Sequence, residues 1–107
     1  MAFVTLNDRN QVSLHLVRVE LPTSSADLFT KNCLLTAVHI INESGGDANI
    51  FLYDRQSPTP IPYLQGFDLP DKGIISMVDK EGQLMSNGVS WYSDRAGVYG
   101  YLRLRPI

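Results

Sequence analysis

Val98-Tyr99-Gly100-Tyr101-Leu102-Arg103-Leu104-Arg105 is the stretch that decides the fold class. Successive side chains of an extended chain point to opposite sides. Val98, Leu102 and Leu104 therefore share one side with Gly100, while Tyr99, Tyr101, Arg103 and Arg105 share the other. A helix would scatter the same apolar residues around its axis, so the pattern predicts a half-buried strand. Pro106 closes it, because proline has no amide hydrogen to give to a ladder.

Working outward, Leu34 to Asn42 predicts a second strand of a different kind. Leu34, Thr36, Val38 and Ile40 fall to one side; Leu35, Ala37, His39 and Ile41 fall to the other. Both sides are mainly apolar, so this strand is expected to be central or covered on both faces. In Gln11 to Leu21, Val12, Leu14 and Leu16 alternate in one phase and Val17, Val19 and Leu21 in the other. A one-residue phase flip predicts a β-bulge or bend.

Turn residues separate the remaining segments. Ser44-Gly45-Gly46-Asp47 leads from Leu34–Asn42 into Ala48–Asp54, and the two are read as a hairpin with Ile50 and Leu52 inward. Asp71-Lys72-Gly73 opens Ile74–Val78, and Asp79-Lys80-Glu81-Gly82 reads as the turn that ends it. Asn87-Gly88 opens Val89–Tyr92, which is expected to pair with Val98–Leu104. Phe3 to Asn7 alternates weakly. Ser24 to Asn32 reads as a loop with one helical turn capped by Ser25. Arg55 to Pro62, with Pro58, Pro60 and Pro62, reads as an extended surface loop. The sum is an all-β chain of about six to eight short strands. It is expected to form a small antiparallel β-sandwich, jelly-roll or Ig-like, in a single domain over residues 1–107.

Composition narrows the function classes. At 107 residues with 44% apolar and 19% charged side chains, the chain can bury a core without a metal or disulfide. Net charge is −2, and the nearest thing to a basic row is Arg95, Arg103 and Arg105, so nucleic acid is not an expected partner. Cys33 is the single cysteine, which excludes an internal disulfide and a cysteine-based zinc site; its apolar neighbours predict a buried thiol. No apolar run approaches the roughly 18 residues of a membrane helix. The start, Met1-Ala2-Phe3-Val4-Thr5, lacks the charge and apolar core of a signal peptide.

Catalytic residues are not expected. A serine or cysteine nucleophile needs a base, and the two histidines, His15 and His39, each sit inside a strand pattern. His39 is read as a hydrogen-bonded structural residue and His15 as a surface one. The carboxylate pairs Asp68/Asp71 and Asp79/Glu81 fall in turns and lack the ligand spacing of a calcium loop. No metal or cofactor is expected. Trp91, Tyr92, Tyr99 and Tyr101, taken to lie on pairing strands, read either as a core tryptophan with tyrosines covering a sheet face, or as a candidate protein interface, or as a sugar-stacking platform; Phe3 and Val4 join them as candidate interface residues.

Residues 34–107 resemble a set of small phage-encoded β-sandwich virion proteins. The resemblance rests on Val38-His39-Ile40-Ile41-Asn42 before a Ser/Gly turn, Ile50-Phe51-Leu52-Tyr53-Asp54 after it, and the proline-bearing Ser57–Pro62. Gly73-Ile74-Ile75 and the segments Gly88–Trp91 and Val98–Leu104 complete it. It implies a non-enzymatic structural protein of the virion, assembled in the host bacterial cytoplasm. That protein would be a capsid cement or decoration protein, with a head–tail or tail accessory protein, or a carbohydrate-binding module using surface aromatics, as alternatives. The implied partners are the major capsid protein or other virion proteins and further copies of the chain, with no membrane or nucleic acid. Residues 1–32 have no counterpart in the resemblance and are expected to supply an assembly arm as well as the first strands.

Overall fold

The computed structural model describes residues 3–8, 11–54 and 61–107. Among these, every regular element is a strand: β1 (Val4–Asp8), β2 (Gln11–Glu20), β3 (Ala26–Phe29), β4 (Cys33–Asn42), β5 (Ala48–Asp54), β6 (Ile61–Leu69), β7 (Ile74–Met85), β8 (Val89–Ser93) and β9 (Val98–Pro106). They form two antiparallel sheets, β1-β2-β9-β4-β7 and β3-β8-β5-β6. The small antiparallel β-sandwich expected from the spacing is thus the fold.

The order of pairing selects between the two expected topologies. β2 pairs with β9, β3 with β8, β4 with β7 and β5 with β6. This is one long antiparallel ribbon, folded at β5–β6 and rolled into two layers, which is the jelly roll. The roll overturns two hairpins. β4 and β5 lie in different sheets, as do β8 and β9, so the turns at residues 43–47 and 94–97 carry the chain across the sandwich. A local turn signal shows that the chain reverses, not that the flanking strands share hydrogen bonds.

Three further corrections concern strands whose partners outweigh their own pattern. Ala26–Phe29 is the edge strand β3, not a helical turn; it is held against the buried β8 with an irregularity between Asp27 and Phe29. Ile61–Leu69 is the edge strand β6 of the same sheet, and it takes in Pro62, which was assigned to the loop. Pro62 sits opposite Tyr53 at a register break, a place where a missing amide is tolerated. Residues 55–60, the rest of that loop, lie outside the described residues. Finally, Asp79–Gly82 does not end its strand. The ladder with β4 breaks between Val78↔Ala37 and Gln83↔Leu35, then resumes to Met85. Gly82, at φ 88°, turns the excursion back against Leu34, whose Cβ would stand 2.6 Å from any Cβ there.

The phase flip in β2 is a bulge as expected. Leu16 pairs with Leu102 and Val19 with Gly100, so Val17 and Arg18 together face Tyr101. Arg18 takes a φ of 34° to do so. Leu16 and Leu21 point inward on either side of the bulge while Val17 is exposed. A second break, between Leu35 and Ala37, corrects the expected faces of β4. Cys33 and Leu35 are inward before it, Val38, Ile40 and Asn42 after it, and Leu34 faces outward. Thr36, at the break, donates to the Arg103 carbonyl at 3.1 Å and accepts from Arg103 Nε at 3.2 Å.

Between the sheets lie Leu16, Leu21, Leu35, Val38, Ile40, Ile50, Leu52, Met85, Val89, Val98, Leu102 and Leu104, around a fully buried Trp91. Cys33 is buried here as expected. Burial, with the Asp54 carboxylate second, pushes its thiol up to about 12, so it stays protonated at neutral pH and chemically quiet. Two polar side chains fasten the ends of the roll. The Asn42 amide donates to the carbonyls of Gly46 (2.7 Å) and Leu69 (2.8 Å), and its oxygen accepts from Ser44 N and Oγ. Asp54 accepts from Ser86 N, Ser86 Oγ and Asn87 N at 2.8–3.0 Å, tying the end of β5 to the β7–β8 turn.

The indole of Trp91 lies against Gly100 of the opposite sheet. A Cβ at Gly100 would stand 2.5 Å from Trp91 Cη2 and 2.9 Å from Leu21 Cδ1. Gly100→Ala is therefore expected to destabilise by about 1–3 kcal/mol through overpacking. Asn42→Ala removes the side-chain donor to the Leu69 carbonyl and the acceptor of the Ser44 amide, while Gly46 keeps Ser44 Oγ, and is expected to cost about 2–4 kcal/mol. Urea denaturation monitored by Trp91 fluorescence measures both; an unchanged midpoint for either variant refutes the corresponding contact.

Candidate interaction face

Four strands of the five-stranded sheet carry its outer face. The register sets it out in rows: Glu20, Tyr99, Ile41 and Ile74; then Tyr101, His39 and Ser76; then His15, Arg103, Ala37 and Val78. The inward direction of Val98, Gly100, Leu102 and Leu104 fixes Tyr99 and Tyr101 outward, as their alternation in sequence required.

The bulge in β2 adds a residue to this face. Arg18 lies with its guanidinium carbon 4.5 Å from the centre of the Tyr99 ring, within cation–π range. Its Nη2 donates to Glu43 Oε2 at 2.8 Å. Beside it opens a shallow groove of about 150 Å³ over the backbone of the paired, inward-phase Gly100 and Ile40, lined by Arg18, Tyr99, Tyr101, His39, Ile41 and Ile74. Sequence reading passed over Arg18, Ile41 and Ile74. The phase flip at Leu16–Val17 was the available signal, because a bulge re-aims the side chains it carries.

Tyr101 sits between the two histidines. Its hydroxyl is 3.1 Å from His15 Nδ1, and its ring centre is 5.4 Å from that of His39. His39 Nδ1 is in turn 2.8 Å from Ser76 Oγ. His39 is thus a hydrogen-bonded strand residue as expected, whereas His15 is half-buried and bonded to Tyr101. The Ser76–His39 contact pairs a nucleophile type with a base type. The Tyr101 ring lies against the His39 imidazole, and among the described residues no carboxylate stands on His39 as a third member.

The other candidate interface residues separate. Trp91 is wholly buried, which removes it from any surface; its inward phase on β8 puts it at the centre of the core. Its neighbour Tyr92 is on the outer face of the four-stranded sheet, the side of the molecule opposite Tyr99 and Tyr101, because β8 and β9 do not pair. There it stacks on Phe51 (4.3 Å, 5° between planes) and lies 6.3 Å from Tyr53. Burial first, and then the hydrogen bond with Tyr53, raise the Tyr92 phenol above its ordinary value. Phe3 packs against the core and meets Phe29 edge-on at 6.2 Å. Val4 is in β1 opposite His15, with its side chain outside the described set. The described residues of 1–32 supply β1–β3, two strands of the five-stranded sheet and one of the four-stranded sheet.

Exposed large apolar side chains include Val17 on β2, Phe67 on β6 and Ile107 after β9, but one edge carries three more. Ile74 (65% exposed), Val78 (62%) and Leu84 (54%) all lie on β7, the terminal strand of the five-stranded sheet. Of the carboxylate pairs, Asp71 accepts from Gly45 N and Asp79 from Glu81 N, both as turn-stabilising contacts. Among the described residues, no three His, Cys, Asp or Glu side chains gather as a metal site. Comparison with protein-family models, curated proteins and solved structures found no match. Fold and face together define a jelly-roll β-sandwich with an apolar edge and a groove lined by arginine and tyrosine.

Partial burial, and secondarily the Arg103 charge, lower the His15 pKa from its ordinary 6.5. The unfolded chain then takes up this proton at a higher pH than the folded one. Stability linked to His15 is complete above pH 6.5 and is lost as pH falls from there through the folded-state value. His15→Gln is expected to flatten the fall in urea midpoint between pH 7.5 and 5 that the natural chain shows. An NMR titration placing the His15 midpoint at or above its ordinary value refutes this.

Proposed function

We propose that this chain is a non-enzymatic structural protein of a phage virion, a cement or decoration protein that stabilises the capsid shell through protein–protein contacts. Its partners on this reading are the major capsid protein and further copies of the chain, and it assembles in the bacterial cytoplasm and resides in the virion. The sequence resemblance over residues 34–107 supplies the virion setting; the jelly roll is compatible with it but is shared by many functions. The observation that carries the contact mechanism is the β7 edge. Ile74, Val78 and Leu84 line a terminal strand at the rim of a face that already bears Tyr99, Tyr101 and Ile41. Soluble proteins commonly blunt such edges with charge or proline. On β7 the charged residues Asp79, Lys80 and Glu81 interrupt the edge, but Ile74 and Val78 before them and Leu84 after them stay exposed, and such positions suit burial against a neighbour.

A tail or receptor-reading role is the second reading, favoured by one feature, the tyrosine-walled groove. Tyr99 and Tyr101 would there stack on a sugar ring. Trp91 is sealed in the core, so its emission does not report on glycan contact, and chemical shifts of Tyr99 and Tyr101 serve in its place.

Purified protein is expected to self-associate in light scattering or to bind empty capsid shells in co-sedimentation. Val78→Lys combined with Leu84→Lys is expected to weaken that association by tenfold or more, about 1.4 kcal/mol, with an unchanged circular-dichroism spectrum. A strict monomer that leaves shells in the supernatant refutes the cement reading. Saturable glycan-induced shifts at Tyr99 and Tyr101 in that same monomer would establish the second.

A further inference from the structure

We propose that the groove beside Arg18 captures the C-terminal residue of a partner protein, with an aliphatic side chain in the groove and the α-carboxylate on the Arg18 guanidinium. The inference does not depend on the virion reading, since a monomer that binds no shell can still carry the groove.

Three observations lead to it. First, Arg18 is set in place rather than merely exposed. The β2 bulge holds its backbone at a φ of 34°, and the Tyr99 ring lies 4.5 Å beneath its guanidinium. Strain of this kind in a residue other than glycine recurs at ligand clamps. Stacking on an aromatic ring also orients the planar fork. Second, the fork has capacity to spare. A guanidinium offers five N–H donors, and among the described residues one contact, to Glu43 Oε2 at 2.8 Å, is made. Glu43 shows that the fork accepts a carboxylate, and it is itself partly exposed and displaceable. Third, the groove is small and apolar. Its volume of about 150 Å³ is lined by Tyr99, Tyr101, Ile41 and Ile74, below the roughly 300 Å³ at which pockets for drug-sized ligands begin.

Size and charge together select the occupant. The space admits about one residue, so the apolar group and the carboxylate must belong to the same residue. An internal aspartate or glutamate has the charge without the apolar body. An internal leucine has the body without the charge. A C-terminal aliphatic residue has both, and capture of a terminal carboxylate is a recurrent mode of peptide recognition.

Titration of the isotope-labelled full chain with three probes tests this. N-acetyl-leucine carries the terminal carboxylate, N-acetyl-leucinamide is its neutral counterpart, and N-acetyl-aspartic acid α-amide carries the charge on a side chain. N-acetyl-leucine is expected to shift the amides of His39, Tyr99, Gly100 and Tyr101 saturably, with a millimolar constant typical of a ligand with about a dozen heavy atoms. Both other probes are expected to bind at least fivefold more weakly. Arg18→Gln should abolish the preference for the carboxylate. Glu43→Gln, which removes the internal competitor, should tighten N-acetyl-leucine by about two- to fivefold, the worth of an exposed ion pair. Equal binding of the three probes, shifts confined to other residues, no saturable shift, or weaker binding by Glu43→Gln would each overturn the proposal.

Discussion

The six-membered ring of the Trp91 indole lies so close to Gly100 that a methyl group on the glycine would meet it at 2.5 Å. This contact sets how near the two sheets come at the middle of the sandwich. It also fixes the register of β9, because the one residue there without a side chain must face Trp91. With Gly100 inward, Val98, Leu102 and Leu104 join the core, and Tyr99 and Tyr101 have no choice but the outer face. Because Gly100 takes the inward phase, its outer side presents only backbone, and the hollow opens there between the two tyrosines. Core and groove are the two sides of one strand.

The polar contacts act on the ends of the roll rather than its middle. In a jelly roll most connections cross from one sheet to the other, so their backbone groups cannot be satisfied by a hairpin ladder. Asn42 answers this at one end, bridging the crossing at Gly46 to Leu69 at the end of β6. Asp54 answers it at the other, accepting from the β7–β8 turn. Neither residue stands out in a sequence, since an Asn or Asp after a strand reads as an ordinary turn former. Its partners are 27 to 33 residues away for the long-range bonds, where no local pattern reaches.

What was legible in the sequence follows from where each strand gets its stability. The inward residues of β9 and the bulge in β2 are read correctly, because alternation records directly which side chains meet the core, although Val17 faces outward and not in phase with Val19 and Leu21. β4 was recognised as doubly apolar, but its two-faced composition hid the break at Thr36, which moves Leu34 outward and Leu35 inward. β3 is an edge strand of four residues and β6 an edge strand that includes Pro62 and Gly66; pairing with β8 and β5 makes them strands, not their own propensities. The aromatic cluster failed for a topological reason. Nearness in sequence suggested one surface for Trp91, Tyr92, Tyr99 and Tyr101, while the crossing between β8 and β9 distributes them over the core and two opposite faces. The groove needed Arg18, 81 residues before Tyr99 in the chain, and only the bulge hinted at it.

The nested pairing, β5 with β6, then β4 with β7, β3 with β8 and β2 with β9, also orders the birth of the molecule in time. Each outer pair encloses the inner ones, so the loop closed in making it is longest for β2 and β9, and closure entropy grows with that length. Synthesis runs from β1 to β9. The bulged strand β2 is therefore among the first to emerge with β1 on one side, yet its other partner, β9, comes last, and β4 lacks a neighbour on either side until β7 and β9 leave the ribosome. Until then two apolar-faced strands have open edges, the condition in which nascent β chains most readily find the wrong company.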